Sequence, residues 1–475
     1  MTYEDVSSRA TALRQVVKLI QDASEALISE WEAPSPGAIP ASETSFAIPS
    51  RPAYDAQRII IAALGSIEEL VADPHRRLLD FAELYFEVRA LHVAAEHNIA
   101  VLVARGGDDG VPVEDLAKAT GLDESKLARI LRSLATQHFF REVTPGRFAN
   151  NRITRALVGD EKLQAQVKGS SLGYAASSAL PEALRDPVRG PSQNAVDAAW
   201  TLAIGSDTPY LEWMTERVPL RRAAEKASPW AARAATKLIE ASPDEELVQR
   251  ADAQLFNLYL VGNSKSLGSA HLYDFPWKEA GNSLVVDVGG GVGSFDLQLA
   301  RLYPDLRFVV QDLSTVTEQG LSLWKEEYPE AVESGRVQFM EHDFFTPNPV
   351  VGADIYWMRH VLHDWKDGDC ARILSRVAEA MSADSRLLVA DVTLVETLGD
   401  PYIQAAPKPL LANYGVHGHH GFSLDISMMS LMNGKERTAA EFRELFEQAG
   451  LQLVKVWECR SILGIFECRL ARGEE

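Results

Sequence analysis

The chain has 475 residues, 46% of them hydrophobic, enough for two or three domains with cores of their own. Its 67 acidic and 47 basic residues leave a net charge of −20, a surface that repels phosphate backbones, so nucleic acid is not expected as a partner. Cys370, Cys459 and Cys468 lack metal-ligand spacing, the N-terminus is polar, and the aliphatic run 59–64 is too short to span a bilayer; a cytoplasmic protein without membrane contact is expected.

Residues 10–33 carry helical periodicity, with Leu13, Val17, Ile20, Leu27 and Trp31 on one stripe. A Pro/Ser/Ala-rich linker runs from Ala33 to Pro52. Amphipathic helices are predicted over Ala53–Val71 and His75–Glu96. A short helix, Val113–Thr120, turns at Gly121 into a second, Asp123–His138, and a hairpin occupies 139–149. That is a helix-turn-helix followed by a wing. The second helix offers only Lys126, Arg129 and Arg132, against Asp123 and Glu124; the wing adds Arg141 and Arg147. A groove reader carries more, so a packing or dimerisation module is expected. Residues 160–280 read as mostly helical, with loops at Pro187–Pro191 and Ser242–Asp244.

From Leu284 the pattern becomes strict α/β alternation. Strands are predicted at 284–288, 306–311, 336–341, 353–359, 385–393, 451–457 and 462–468. The fold class is therefore α/β, a doubly wound, mostly parallel, seven-stranded sheet with ligands beyond its carboxyl ends. The expected division is an N-terminal helical and winged-helix-like domain over 1–165 and a second domain over 166–475, its α/β core at about 282–470.

The strand ends carry the chemistry. Leu284-Val-Val-Asp-Val-Gly-Gly-Gly-Val-Gly293 is a strand, a tight turn and a helix start, where backbone N–H groups can approach a ligand. It is not the dinucleotide fingerprint, because Ser294 and Asp296 stand where the third glycine is needed. Asp312, nineteen residues past Gly293, can accept from ribose hydroxyls or cap the next helix. Asp343 and Phe344 can meet an exocyclic amine and a purine face, or serve as a turn aspartate and a core aromatic. Arg359 can pair with a carboxylate or remain a surface cation.

Three segments, Asp287-x-Gly289-x-Gly291-x-Gly293, His363-Asp-Trp-Lys-Asp367 and Asn433-Gly-Lys-Glu-Arg-Thr438, resemble the plant-type O-methyltransferases that use S-adenosylmethionine (SAM), especially their longer fungal relatives. The resemblance spans nearly the whole chain. It implies that Gly289, Gly290, Gly291, Asp312, Asp343, Phe344 and Arg359 contact SAM and that Trp365 flanks its adenine. Arg359 stands where many plant members have lysine. The resemblance makes His363 the general base for a phenolic or enolic hydroxyl of a small molecule. A phenol titrates near 10 and imidazole near 6.5, so base assistance is worth about 10²–10⁴ in rate. Glu436 matches the family's glutamate that fixes the histidine tautomer. Asp391 stands where plant members have a second glutamate, one methylene longer. Lys435 and Arg437 beside Glu436 also fit a surface salt bridge.

The family further implies a homodimer built through the winged-helix unit, S-adenosylhomocysteine (SAH) as product, and no metal. His417-Gly-His-His420 has clustered imidazoles but no paired carboxylates, so its loop, Pro401–Phe422, is expected to shape the acceptor pocket. Asp425, Met428, Met429 and Met432 share a helical face that suits pocket or core equally. Phe256-Asn257 matches a segment bordering the acceptor. The competing reading keeps the fold and the SAM but replaces methyl transfer with dehydration or pericyclic chemistry.

Overall fold

The computed structural model describes residues 3–33, 39, 48–223, 225 and 247–471. Most of the predicted linker and the loop Ser242–Asp244 lie outside the described residues. The chain forms two units: Met1–Val71, Asp186–Ala198 and Leu267–Glu475 make one, and Ala72–Arg185 with Ala199–Ser266 the other. This discontinuous division replaces the single boundary expected after residue 165.

The reason lies in helices α1 (Tyr3–Glu32) and α2 (Arg51–Val71). Ala62 and Ala63 of α2 share a core with Val16, Ala406, Leu410 and Tyr414, and the Arg58 guanidinium lies 4.2 Å from the Tyr414 ring centroid. The N-terminal helices thus belong with the loop after residue 400. On α1 the buried face is Val16, Ala23 and Leu27, while Val17 and Trp31 are 50% and 70% exposed. The predicted stripe was out of phase because small Ala23 packs against Ala53 and Ala56, a contact that side-chain bulk does not reveal.

In the second unit, α3 (Pro74–Glu96) starts at Asp73, whose Oδ1 accepts from the Arg76 N–H at 3.0 Å. Helices Val113–Thr120 and Glu124–Thr136 follow, joined through Gly121 at φ +73°. A three-stranded sheet pairs 111–112 with 147–149 and 147–149 with 141–144. Leu116, Leu127, Leu131, Leu134 and Phe148 fill its core. Arg132 pairs with Glu142 and Arg141 with Asp108, which neutralises two of the cations the sequence offered.

The first unit carries the α/β core. Its elements are β1 (Leu284–Val288), α4 (Ser294–Leu302), β2 (Arg307–Asp312), β3 (Val337–Glu341), β4 (Ile355–Arg359), α5 (Asp367–Ala380), β5 (Arg386–Leu394), α6 (His419–Met432), α7 (Ala439–Gln448), β6 (Leu451–Glu458) and β7 (Leu463–Leu470). The sheet order is β6-β7-β5-β4-β1-β2-β3. The five strands β1 to β5 pair in parallel; β7 is antiparallel to both β5 and β6. A two-residue strand, Arg437–Thr438, adds to the end of β5.

Alternation decides which layer each residue joins. Val286, Val288, Met358, Leu387 and Val389 pack under Ile373, Leu374 and Val377 of α5 and Phe442 and Phe446 of α7. Val285, Phe308, Val310, Trp357 and Leu388 face Phe295 and Leu299 of α4 and Trp277. Both faces are covered, as a parallel sheet requires. The strand order reverses between β1 and β4, so a crevice opens at their carboxyl ends.

Candidate active site

Strand β1 ends in a backbone turn that only glycine suits. Gly289 and Gly291 have φ of +74° and +60°. The N–H groups of Gly289 and Gly290 donate to Gln311 O at 2.9 and 3.0 Å, tying the turn to β2. A Cβ on Gly290 would stand 2.6 Å from Asp287 Oδ2, whereas one on Gly291 would meet nothing within 4 Å. The turn therefore presses against the protein on one side and offers open space on the other. Asp312 bridges it: Oδ2 accepts from the Gly291 N–H at 2.9 Å and Oδ1 from the Leu313 N–H at 2.7 Å.

Beneath the turn, Asp287 and Asp296 are buried together. Burial, followed by the neighbouring Asp296, pushes Asp287 well above the usual carboxylate range. Arg359 supplies the nearby positive charge and lies 5.1 Å from the centroid of the Phe295 ring. It is a partly buried cation in the sheet rather than a surface one. Phe344 lies beside Gly289, its Cε1 3.6 Å from where a Cβ would be. Trp365 stands edge-on to Phe344 at 5.8 Å. Asp343 is exposed just beyond the β2 and β3 ends, and its Oδ1 accepts from the Phe345 N–H at 3.0 Å.

His363 sits in a single turn, Leu362–Asp364, between β4 and α5. Its Nδ1 lies 2.9 Å from Glu436 Oε1, and Asp364 Oδ1 is 3.6 Å from its Nε2. Burial opposes charge on this ring, but Asp364 and Glu436 outweigh it, and the imidazole is pushed up to about 10. The Lys435 N–H donates to His363 O at 3.0 Å, and the Glu436 N–H donates to Asp425 Oδ1 at 2.9 Å. Asp391 is fully buried on β5 but makes no direct bond to His363. Its Oδ1 faces His360 Nδ1 at 4.0 Å, and burial pushes it up to about 7.

Three features were misread or went unread in the sequence. Arg437 is buried, not a surface ion pair: it donates to Leu362 O at 2.8 Å and Trp365 O at 2.7 Å, and pairs with Asp367 Oδ1 at 2.8 Å. His360, at φ +54°, stands beside His363 with ring centroids 5.4 Å apart. Gly434 makes room for the His363 carbonyl. The Asn-Gly pair signalled only a helix stop, and the remaining two residues carry no spacing signal.

Met432 is buried, and Met428 and Met429 are half-buried on α6. Phe256 belongs to the other unit, where its ring meets Tyr210 at 5.5 Å. A cavity in the first unit is lined by Tyr54 and Arg58 of α2, the loop residues Ile403, Tyr414 and His417, and Ser461; it contains neither His363 nor the glycines of the turn after β1. Among the described residues, the His417–His420 loop forms no three-ligand cluster.

A family model described as an O-methyltransferase domain matches residues 253–452. O-methyltransferase tpcA of Aspergillus fumigatus is 44% identical over 97% of this chain and 96% of its own length. The chain belongs to the SAM-dependent O-methyltransferase family. This O-methyltransferase is also similar to CalO1, a methyltransferase in calicheamicin biosynthesis solved with SAH bound: 27% identity, TM-score 0.60, 84% of this chain and 99% of the other. A structure described as a pericyclic reaction enzyme shares the fold at 22% identity and TM-score 0.61, over 87% of this chain and 94% of that one. SAM, giving SAH, is the cofactor of this O-methyltransferase. No described helix is long and apolar enough to cross a membrane.

Proposed function

We propose that this enzyme methylates a phenolic or enolic hydroxyl of a small secondary metabolite, with His363 as general base. The observation that carries the reading is the 2.9 Å contact between His363 Nδ1 and Glu436 Oε1. It leaves Nε2 as the nitrogen that exchanges a proton with the acceptor. The glycine turn fits SAM, because it presents backbone to open space where a side chain at Gly291 would intrude. Gly289, Gly290, Gly291, Asp312, Asp343, Phe344, Arg359 and Trp365 would hold it. Bound there, SAM supplies a methyl group on a positively charged sulfonium.

The protein's own part is proton handling. Raised to about 10, the imidazole is mostly protonated at neutral pH; in its unprotonated fraction it matches a phenol, so the proton passes between them at little free-energy difference. Glu436 and Asp364 stabilise the imidazolium that results. Asp391 adds negative potential from β5. No step calls for a metal.

Incubation with methyl-labelled SAM and a phenol panel tests the proposal: labelled ether product and SAH support it, and SAM left intact during substrate conversion favours dehydration or pericyclic chemistry. That second reading has only fold likeness behind it, whereas the relative at 44% identity is an O-methyltransferase.

A homodimer built through the winged-helix-like unit belongs to the same proposal. Leu78, Leu79, Phe81 and Phe86 of α3 are 72%, 64%, 58% and 60% exposed, an apolar surface that suits a second copy. Light scattering at twice the monomer mass supports it. A cytoplasmic location is supported by three free, buried cysteines.

A further inference from the structure

Methyl transfer as proposed leaves His360 without a task. His360 follows β4 in a left-handed turn, φ +54°, and its backbone N–H donates to Ala390 O at 3.1 Å. That bond seats it against β5, one residue from Asp391. Its Nδ1 is 4.0 Å from Asp391 Oδ1, and its ring centroid is 5.4 Å from that of His363. One donor atom from each of His360, His363 and Asp391 lies within 4.8 Å of the other two.

The cluster has unspent bonding capacity. Among the described residues, neither Asp391 oxygen accepts a hydrogen bond, and His360 Nε2 has no partner, although all three atoms are buried. Buried polar atoms are rarely left so. Two imidazoles and a carboxylate are a donor set for Zn²⁺ and neighbouring first-row ions. Zinc bonds of about 2.0–2.1 Å put tetrahedral donors roughly 3.3 Å apart, which from 4.8 Å is a closure of up to about 1.5 Å by side-chain rotation. Glu436 already holds His363 Nδ1, as an outer carboxylate does for a ligating histidine, and leaves Nε2 for a metal. Asp364 Oδ1, 3.6 Å from that Nε2, is within reach as a fourth donor.

We propose that His360, His363 and Asp391 form a site for a divalent transition-metal ion of the Zn²⁺ type, and that metal bound there blocks methyl transfer by displacing the Nε2 proton of His363 to solvent and taking the lone pair that would accept the acceptor's proton. The block rests on His363 being the base; the site itself does not.

The experiment uses the full chain, stripped with chelator and titrated with Co²⁺. The expected result is one equivalent bound with visible d–d absorption, displaced by Zn²⁺. His360→Gln and Asp391→Asn should each weaken Co²⁺ binding more than about tenfold, while His420→Gln leaves it unchanged. Thermal melting identifies any variant that fails to fold, and the other then carries the test. Zn²⁺ should inhibit the native enzyme and chelator restore it, whereas His360→Gln should keep its own metal-free rate in the same Zn²⁺. Absence of the Co²⁺ bands, or bands unchanged in both variants, overturns the site. Co²⁺ bound with undiminished methyl transfer overturns the block alone. Because absorption is read without turnover, failure of the methyltransferase reading would not be mistaken for failure of the site.

Discussion

A Cβ on Gly434 would stand 2.6 Å from the carbonyl oxygen of His363. That closeness lets the segment after α6 clasp the histidine turn. Lys435 N–H takes the His363 carbonyl, Glu436 takes its ring, and Arg437 takes the carbonyls of Leu362 and Trp365. His363 is thus held by backbone as well as by side chains. Gly434→Ala should force the clasp apart, at about 1–3 kcal/mol of stability. Turnover should fall while SAM affinity holds; melting curves and calorimetric titration check the two halves.

Glu436→Gln should change the pH profile as well as the rate. In the native chain His363 is held up to about 10, above its ordinary 6.5. That raised value stabilises the fold fully below about 6.5, a contribution lost as pH rises through about 10. Glutamine keeps the shape but removes one negative charge, so the imidazole loses its proton at lower pH. The acid limb of kcat/KM for the acceptor should move to lower pH, and the plateau should drop at least about tenfold. A pH–rate series on both proteins reads this directly.

Gly290→Ala tests the cofactor end. The added methyl would meet Asp287 Oδ2 at 2.6 Å and Val310 Cγ1 at 2.8 Å. Neither neighbour is free to move, since both are buried. The turn must shift, and SAM affinity should weaken more than about tenfold, or about 1.4 kcal/mol. Calorimetry with SAH checks it.

Asp391→Asn should stabilise the ligand-free protein at alkaline pH. Burial raises the Asp391 carboxyl to about 7. A carboxyl raised in this way favours the fold below its unfolded value near 3.9 and loses that contribution as pH climbs through 7. Asparagine never ionises. The variant should melt about 2 °C above the native chain at pH 8, with the gap narrowing toward pH 4. Paired melting curves across that range check it.

The sheet was legible because its strands are β-branched runs with turn residues between them. All seven predicted strands lie within two residues of those observed. The glycine turn was legible for the same reason, since strand ends announce themselves, whereas His363 was singled out only by the family resemblance. What the sequence hid depends on packing between distant segments. Arg437 reads as a surface cation until the chain folds it under Leu362 and Trp365. Alanine contacts set the phase of α1 and assigned the N-terminal helices to the catalytic unit. His360 gained a partner only when β5 came alongside β4.

The central claim is tested most directly by His363→Gln, assayed with methyl-labelled SAM and an accepted phenol, with SAM affinity measured in parallel. The account predicts unchanged affinity and a turnover lower by at least about tenfold. Turnover equal to that of the native enzyme would contradict it.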